Sequence, residues 1–224
     1  MSLVLALLTL GVFILLELVK RSRKKSSVSV EAGIVQPSSP KYIERFYHPG
    51  HSWAVVQSDD EVTVGADDFA QRALGRLSGI QLPQLWTKVR QGQVYATLVH
   101  GEKSLPQASP ISGMIVGINR KLEETPELVN ASPLDQGWIV KIAPAKLSLE
   151  LHNLLRGLVA ERWEEAVRNH LVHWFSAPAQ PALQDGGKIV EGVSDLLTID
   201  EWRHFTEEFF SAGVSNRNNN LSKN

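Results

Sequence analysis

Three regimes of hydrophobic patterning divide the chain. Leu3 to Val19 is apolar except for Thr9 and Glu17, and a helix of that length rises roughly 26 Å at about 1.5 Å per residue, close to a hydrocarbon core of about 30 Å. The pattern predicts a transmembrane helix over 3–19. From 42 to 144 the chain breaks into short apolar runs cut by Gly, Pro, Asn and Asp, and these predict strands at Trp53–Val56, Val62–Val64, Gly79–Leu82, Val94–Val99, Met114–Ile118 and Trp138–Ile142. Asp67 or Asp68 can cap a short helix through Phe69–Leu74 that stops at Gly75, and Thr125 with Pro126 can open a helical turn to Val129. After Pro144 the apolar positions fall three and four apart, at Leu147, Leu151, Leu154, Leu155, Leu158, Val159, Trp163, Val167, Leu171 and Trp174. That spacing predicts one long amphipathic helix with Gly157 as its weak point, ending by Pro178. Gln184–Lys188 reads as a turn, and Thr198 to Glu201 matches a capping box that opens a last helix through Trp202, Phe205, Phe209 and Phe210 to near Gly213.

The divisions that follow are an anchor at 1–20, a basic and Ser/Pro-rich linker at 21–41, a β domain at 42–144, a helical extension at 145–213 and a polar tail at 214–224. Nothing basic precedes the apolar run, whereas Lys20, Arg21, Arg23, Lys24 and Lys25 follow it. This is the wrong order for a cleaved leader, and it orients the anchor with everything after it on the cytoplasmic side of the cell membrane.

Charge and composition remove several function classes. With 23 basic and 24 acidic residues and a net charge of -1, the chain has no basic excess to hold nucleic acid. It has no cysteine, which excludes disulfides, thiolate metal sites and a cysteine nucleophile. No nucleophile elbow, phosphate loop or dinucleotide fingerprint is present, so the chain reads as non-enzymatic. His170 and His173 have the spacing of two metal ligands but no third ligand in sequence, and Asp59–Glu61 reads as a solvated turn. The remaining chemical candidate lies in Val94–Ile118, which predicts two extended arms around a tight turn at Gly101, with Lys103 at or near the tip. Such a lysine is either an attachment site for a swinging arm or an ordinary turn residue.

Six segments carry a resemblance: HSWAVV at 51–56, VGADDFAQRALG at 64–75, QLPQLWTKVRQGQ at 81–93, SPISG at 109–113, NRKLEETPELVN at 119–130 and GWIVKIAP at 137–144. In order and spacing they resemble the glycine cleavage system H-protein family, over about 100 residues of the chain. The resemblance implies a lipoyl/biotinyl-carrier-like flattened β sandwich, a barrel-sandwich hybrid, here with a transmembrane helix before it and a small α-helical extension after it. It also implies a lipoylated lysine on the hairpin, making Lys103 the candidate site and lipoate the candidate cofactor. Two positions depart from the family pattern. The family's lysine lies seven residues before the serine of Ser-Pro-x-Ser-Gly, and counting back from Ser109 reaches Glu102, one residue before Lys103. A family His-Glu-Trp is His51-Ser52-Trp53 here, without the carboxylate.

One residue of shift turns a side chain to the other face of a strand. The expectation is therefore a membrane-anchored, non-catalytic interaction module of H-protein-like shape without a working lipoyl site. The alternatives are a carrier that shuttles an aminomethyl, acyl or redox group on Lys103, and an accessory subunit of a larger membrane complex. Protein contact is expected through the hairpin around Gly101 or through the aromatic helices, at Trp163, Trp174, Trp202, Phe205 and Phe209. These aromatics have a second reading, as packing of the helices on each other and on the β domain.

Overall fold

The computed structural model describes residues 43–176 and 192–210. The predicted anchor, linker, tail and turn at Gln184–Lys188 lie outside the described residues. Among the described residues no helix is long and apolar enough to cross a membrane.

Short strands with one buried face pair into two antiparallel sheets. The larger contains β1 (Phe46–His48), β2 (Ser52–Ser58), β3 (Glu61–Ala66), β5 (Lys88–Val89), β8 (Gly113–Ile118) and β9 (Val140–Pro144), in the order β1-β2-β3-β9-β8-β5. The smaller contains β4 (Gly79–Gln81), β6 (Val94–His100) and β7 (Lys103–Ala108), in the order β4-β6-β7. Val62, Val64, Ile115, Val140 and Ile142 from one sheet share a core with Leu98 and Leu105 from the other. This is the expected mainly-β sandwich.

The six predicted strands form close to their predicted limits. The pattern missed β1 and β5, which are too short to show a period of two. At the Ser-Pro-Ile-Ser-Gly corner, Ser109 Oγ donates to the Ile111 carbonyl at 2.7 Å and Ser112 Oγ accepts from the Gln91 N–H at 2.9 Å. Gly113 follows because a Cβ there would sit 2.2 Å from the Ala143 oxygen on β9.

Helix α1 (Asp68–Leu74) is capped by Asp67, whose carboxylate accepts from the Ala70 N–H at 2.8 Å. Beyond β8, α2 (Lys121–Glu124) was not legible, and α3 (Leu128–Ala131) starts later than Thr125 because Pro126 and Glu127 form a turn before it. Asn130 on α3 ties this region to α1. It accepts from the Leu77 N–H and donates to the Gly75 carbonyl and to Gln71 Oε1, each at 2.9 Å.

The single long helix predicted after Pro144 is broken in two, α4 (Leu147–Leu151) and α5 (Gly157–Phe175). Between them Leu155 leaves the helical path and exchanges two backbone hydrogen bonds of 2.8 Å with Tyr47, extending the edge of β1. Gly157 then restarts the helix at φ 52°, where a residue with a Cβ would be strained. The break re-aims the apolar stripe: Leu171 is buried, while Leu158 is 70% exposed. A 3-10 helix (Val193–Leu196) and α6 (Ile199–Phe210) close the described chain. The capping box forms as expected, with the Glu201 carboxylate accepting from Thr198 N–H at 2.7 Å and from Thr198 Oγ1 at 2.8 Å.

The aromatic rings of the described helices are turned largely inward. Trp202, Phe205, Phe209, Phe210 and Phe175 are buried, and Trp163 and Trp174 are half-buried in ring contacts. Phe205 alone lies within ring-contact distance of Trp174, Trp202, Phe209 and Phe210. The expectation of contact is corrected for Trp174, Trp202, Phe205 and Phe209, which extend the core of the β domain, whereas Trp163 is half-buried against His51.

Candidate functional site: the β6–β7 hairpin

The turn between β6 and β7 has two residues, Gly101 and Glu102, with His100 paired to Lys103 across it. Gly101 has φ 56° and comes first, the arrangement of a type II′ hairpin turn. The tip is therefore one residue ahead of Lys103. Glu102 is exposed there, and Lys103 is the first residue of the returning strand.

Lys103 is half-buried, and its ammonium donates to the backbone carbonyls of Ser194 and Leu197, the latter at 2.6 Å. Leu197 caps the C-terminal end of the 3-10 helix, where the local dipole favours a cation, and the Ser194 carbonyl also accepts from the Leu197 N–H at 3.1 Å. Further contacts fix the C-terminal segment to the hairpin and to the end of α1. Trp202 Nε1 donates to the Ser104 carbonyl at 2.9 Å. Ser194 Oγ donates to the Leu74 carbonyl at 2.6 Å, fixing the 3-10 helix to the end of α1. His100 lies between the Arg76 carbonyl, 2.5 Å from Nδ1, and an Asp195 oxygen, 2.7 Å from Nε2. Both of its partners are acceptors, so imidazolium satisfies them together. The Arg76 carbonyl first and then Asp195 raise the His100 pKa, against partial burial and the Lys103 charge. On the other side of the tip, Ser78 Oγ accepts from the Gly101 N–H at 3.1 Å.

The C-terminal segment therefore covers the flank of the expected contact surface at His100 and Lys103, while Gly101 and Glu102 at the tip stay exposed. Sequence reasoning located Lys103 but not its partners. Two backbone carbonyls more than ninety residues away leave no mark in side-chain patterning.

The other sequence candidates have structural roles. His170 pairs with Glu208 at 3.0 Å and packs on Phe209, and no group of three metal-ligating side chains occurs among the described residues. Ser52, at the position where the carboxylate is missing, donates to the Ala108 carbonyl at 2.6 Å and is fully buried. Trp53 is buried and donates to the Pro133 carbonyl at 3.0 Å, while Trp138 is half-buried with the Lys141 ammonium 5.8 Å from its ring. His51 is buried against Phe69 and Trp163, with Nδ1 2.8 Å from Asp67. This pair fixes the start of α1 through Asp67.

Comparison with known proteins accords with this architecture. The family model described as glycine cleavage H-protein matches residues 45–168. The chain is 38% identical over 112 residues to a probable glycine cleavage system H protein 1 of Saccharolobus solfataricus, covering 50% of this chain and 82% of that one. It is 37% identical over 121 residues to a glycine cleavage system H protein of Hydrogenovibrio crunogenus, covering 54% and 89%. A crystal structure of a glycine cleavage system H protein from Mycobacterium marinum aligns with a TM-score of 0.46 at 25% identity, covering 55% of this chain and 94% of that one. Matched by the family model over more than half its length, and carrying the hairpin that the model spans, the chain belongs to the glycine cleavage H-protein family.

Proposed function

We propose that this H-protein-family domain works as a non-catalytic interaction module, held at the cytoplasmic face of the cell membrane through residues 3–19, with its carrier hairpin closed by its own C-terminal helices. The observation that carries this reading is the state of Lys103. Its ammonium is engaged by two backbone carbonyls, and the position seven residues before Ser109 is the exposed Glu102. Attachment of lipoate requires a free, deprotonated amine at a defined tip. Here the amine is one residue past the tip and its hydrogen bonds are taken by two backbone carbonyls.

The test is co-expression with a lipoate–protein ligase and intact-mass measurement of the wild-type chain and the Glu102→Lys variant. The wild type is expected to stay unmodified and the variant to gain the mass of one lipoyl group. Modification of the wild type at Lys103 would overturn the reading.

Family membership favours a second reading, a lipoylated carrier, because the matched relatives are named as glycine cleavage system H proteins. It requires Lys103 to leave Ser194 and Leu197, so a lipoylated chain would show loosened 193–210 segments. The anchor is tested separately: carbonate extraction should leave the full-length chain with the membrane, and its release would refute the tether.

A further inference from the structure

At the far end of β6 from the hairpin tip, roughly 25 Å along the strand at about 3.3 Å per residue, lies an open groove of about 920 Å³. Its walls come from the edge strand β5, from β8, from the end of β9 and from α4. Three cations line it, Lys88, Arg90 and Lys146. All three are exposed, and none is in an ion pair or side-chain hydrogen bond among the described residues. The acid in the lining, Glu150, is buried and engaged, accepting from the Ser112 N–H at 2.6 Å. The concavity therefore carries a local positive excess in a chain whose net charge is -1.

A second, independent feature lies just before β5 in sequence, outside the groove's own lining. Trp86, two residues before Lys88, is 66% exposed at φ 66°, a backbone conformation that is strained for any bulky side chain. Its N–H donates to the Ile115 carbonyl at 2.8 Å, which holds the turn in place. Neighbouring Leu85 is also exposed. Strain retained at an exposed tryptophan, where the indole gains nothing from burial, is the signature of a residue kept for contact.

We propose that this groove receives an acidic, extended segment of a partner protein, with its carboxylates on Lys88, Arg90 and Lys146 and an apolar side chain against Trp86. Charge complementarity favours an acidic partner, and the concave shape favours a peptide over a bilayer, which would touch only the rim. Three cations are too few for a nucleic-acid track.

The test uses the full-length chain in neutral detergent. Its probe is a fluorescein-labelled peptide of alternating Glu and Leu, read by anisotropy beside a control peptide with Gln in place of Glu. The wild type should bind the Glu peptide more tightly than the Gln peptide, and increasingly weakly as salt is added. The combined Lys88→Glu, Arg90→Glu, Lys146→Glu variant should lose at least about tenfold in affinity with an unchanged thermal midpoint, as expected for exposed charges. Trp86→Gly should weaken binding without lowering the midpoint, because glycine accepts φ 66° without strain. Equal affinity for the two peptides, or an unaffected triple variant, overturns the proposal. So does a triple variant that loses binding to phosphatidylglycerol vesicles more strongly than to the peptide, which would reassign the groove to a lipid surface.

Discussion

Replacing Lys103 by methionine keeps most of the aliphatic stem on β7 and removes only the ammonium. The wild-type group makes two charge-assisted hydrogen bonds, to the carbonyls of Ser194, which is fully buried, and of Leu197, which is 4% exposed. A hydrogen bond to a charged group contributes about 1.5–3 kcal/mol; without the ammonium the Ser194 carbonyl keeps the Leu197 N–H at 3.1 Å, so the loss falls mainly on the Leu197 carbonyl. Lys103 itself is half-buried, so water replaces part of what is lost and the lower end applies, about 2 kcal/mol in all. For a domain of this size each kcal/mol shifts the melting temperature by roughly 2–4 °C, which gives a fall of roughly 4–8 °C. The loss should be local in origin. Hydrogen exchange of amides in Val193–Leu196 and Ile199–Phe210 should speed up before that of β2, β3 and β9. Lys88→Met, at an exposed lysine without a partner, serves as the control and should change little. If Lys103→Met shifted the midpoint no more than this control and left exchange at 193–210 unaltered, the clamp would be an incidental contact.

The remaining predictions concern pH and packing. His100 has its pKa raised by the Arg76 carbonyl and Asp195, so its contribution is complete below the unfolded-state value near 6.5 and is lost as pH rises through the higher folded-state value. Proteolysis within 193–210 should therefore accelerate from pH 6 to 8.5, and His100→Gln should flatten that dependence. His48 behaves oppositely: burial first, and the His51 charge second, lower its pKa from 6.5 to about 4. Stability from this buried neutral ring is present above about pH 6.5 and declines as pH falls toward 4, by at most about 3.5 kcal/mol at about 1.4 kcal/mol per pH unit. Urea midpoints of wild type and His48→Phe between pH 4 and 7 should diverge accordingly. Asn130→Ala strips the Leu77 N–H and the Gly75 carbonyl of their partner and should cost about 2–3 kcal/mol in urea denaturation. Gly113→Ala forces a Cβ to within 2.2 Å of the Ala143 oxygen unless β8 and β9 separate. It should yield little folded protein, whereas Gly101→Ala, open around its Cβ position, should fold with only the strain of φ 56°.

What the sequence discloses here depends on the range of the interaction that sets each feature. Strands β2, β3, β6, β8 and β9, the Asp67 cap and the Thr198–Glu201 box are local patterns, readable because period and cap lie within a few residues. The segments that carry the family resemblance prove to be mutually bonded: Asn130, in the NRKLEETPELVN segment, reaches Gln71, in the VGADDFAQRALG segment. Features that depend on distant partners were not readable. Gly157 marked the weak point of the long helix, but nothing local announces that Tyr47 will draw Leu155 out of it. The aromatic stripe of α6 is as consistent with a docking face as with a core until the partner surface is known, and here β7 and the other helices supply it. At the hairpin, the reading placed Lys103 at or near the tip, and the turn residues are Gly101 and Glu102, one residue before it. The sequence could not reveal that Lys103 would be held by carbonyls of the 3-10 helix, because a backbone oxygen has no sequence signature.

The central claim is that Lys103 serves as the clamp of a closed carrier hairpin and does not bear a lipoyl group. Intact-mass spectrometry of the full-length chain isolated from its native cells, with peptide mapping across Val94–Ala108, tests it most directly. The account predicts an unmodified Lys103; the added mass of one lipoyl group on Lys103 would contradict it.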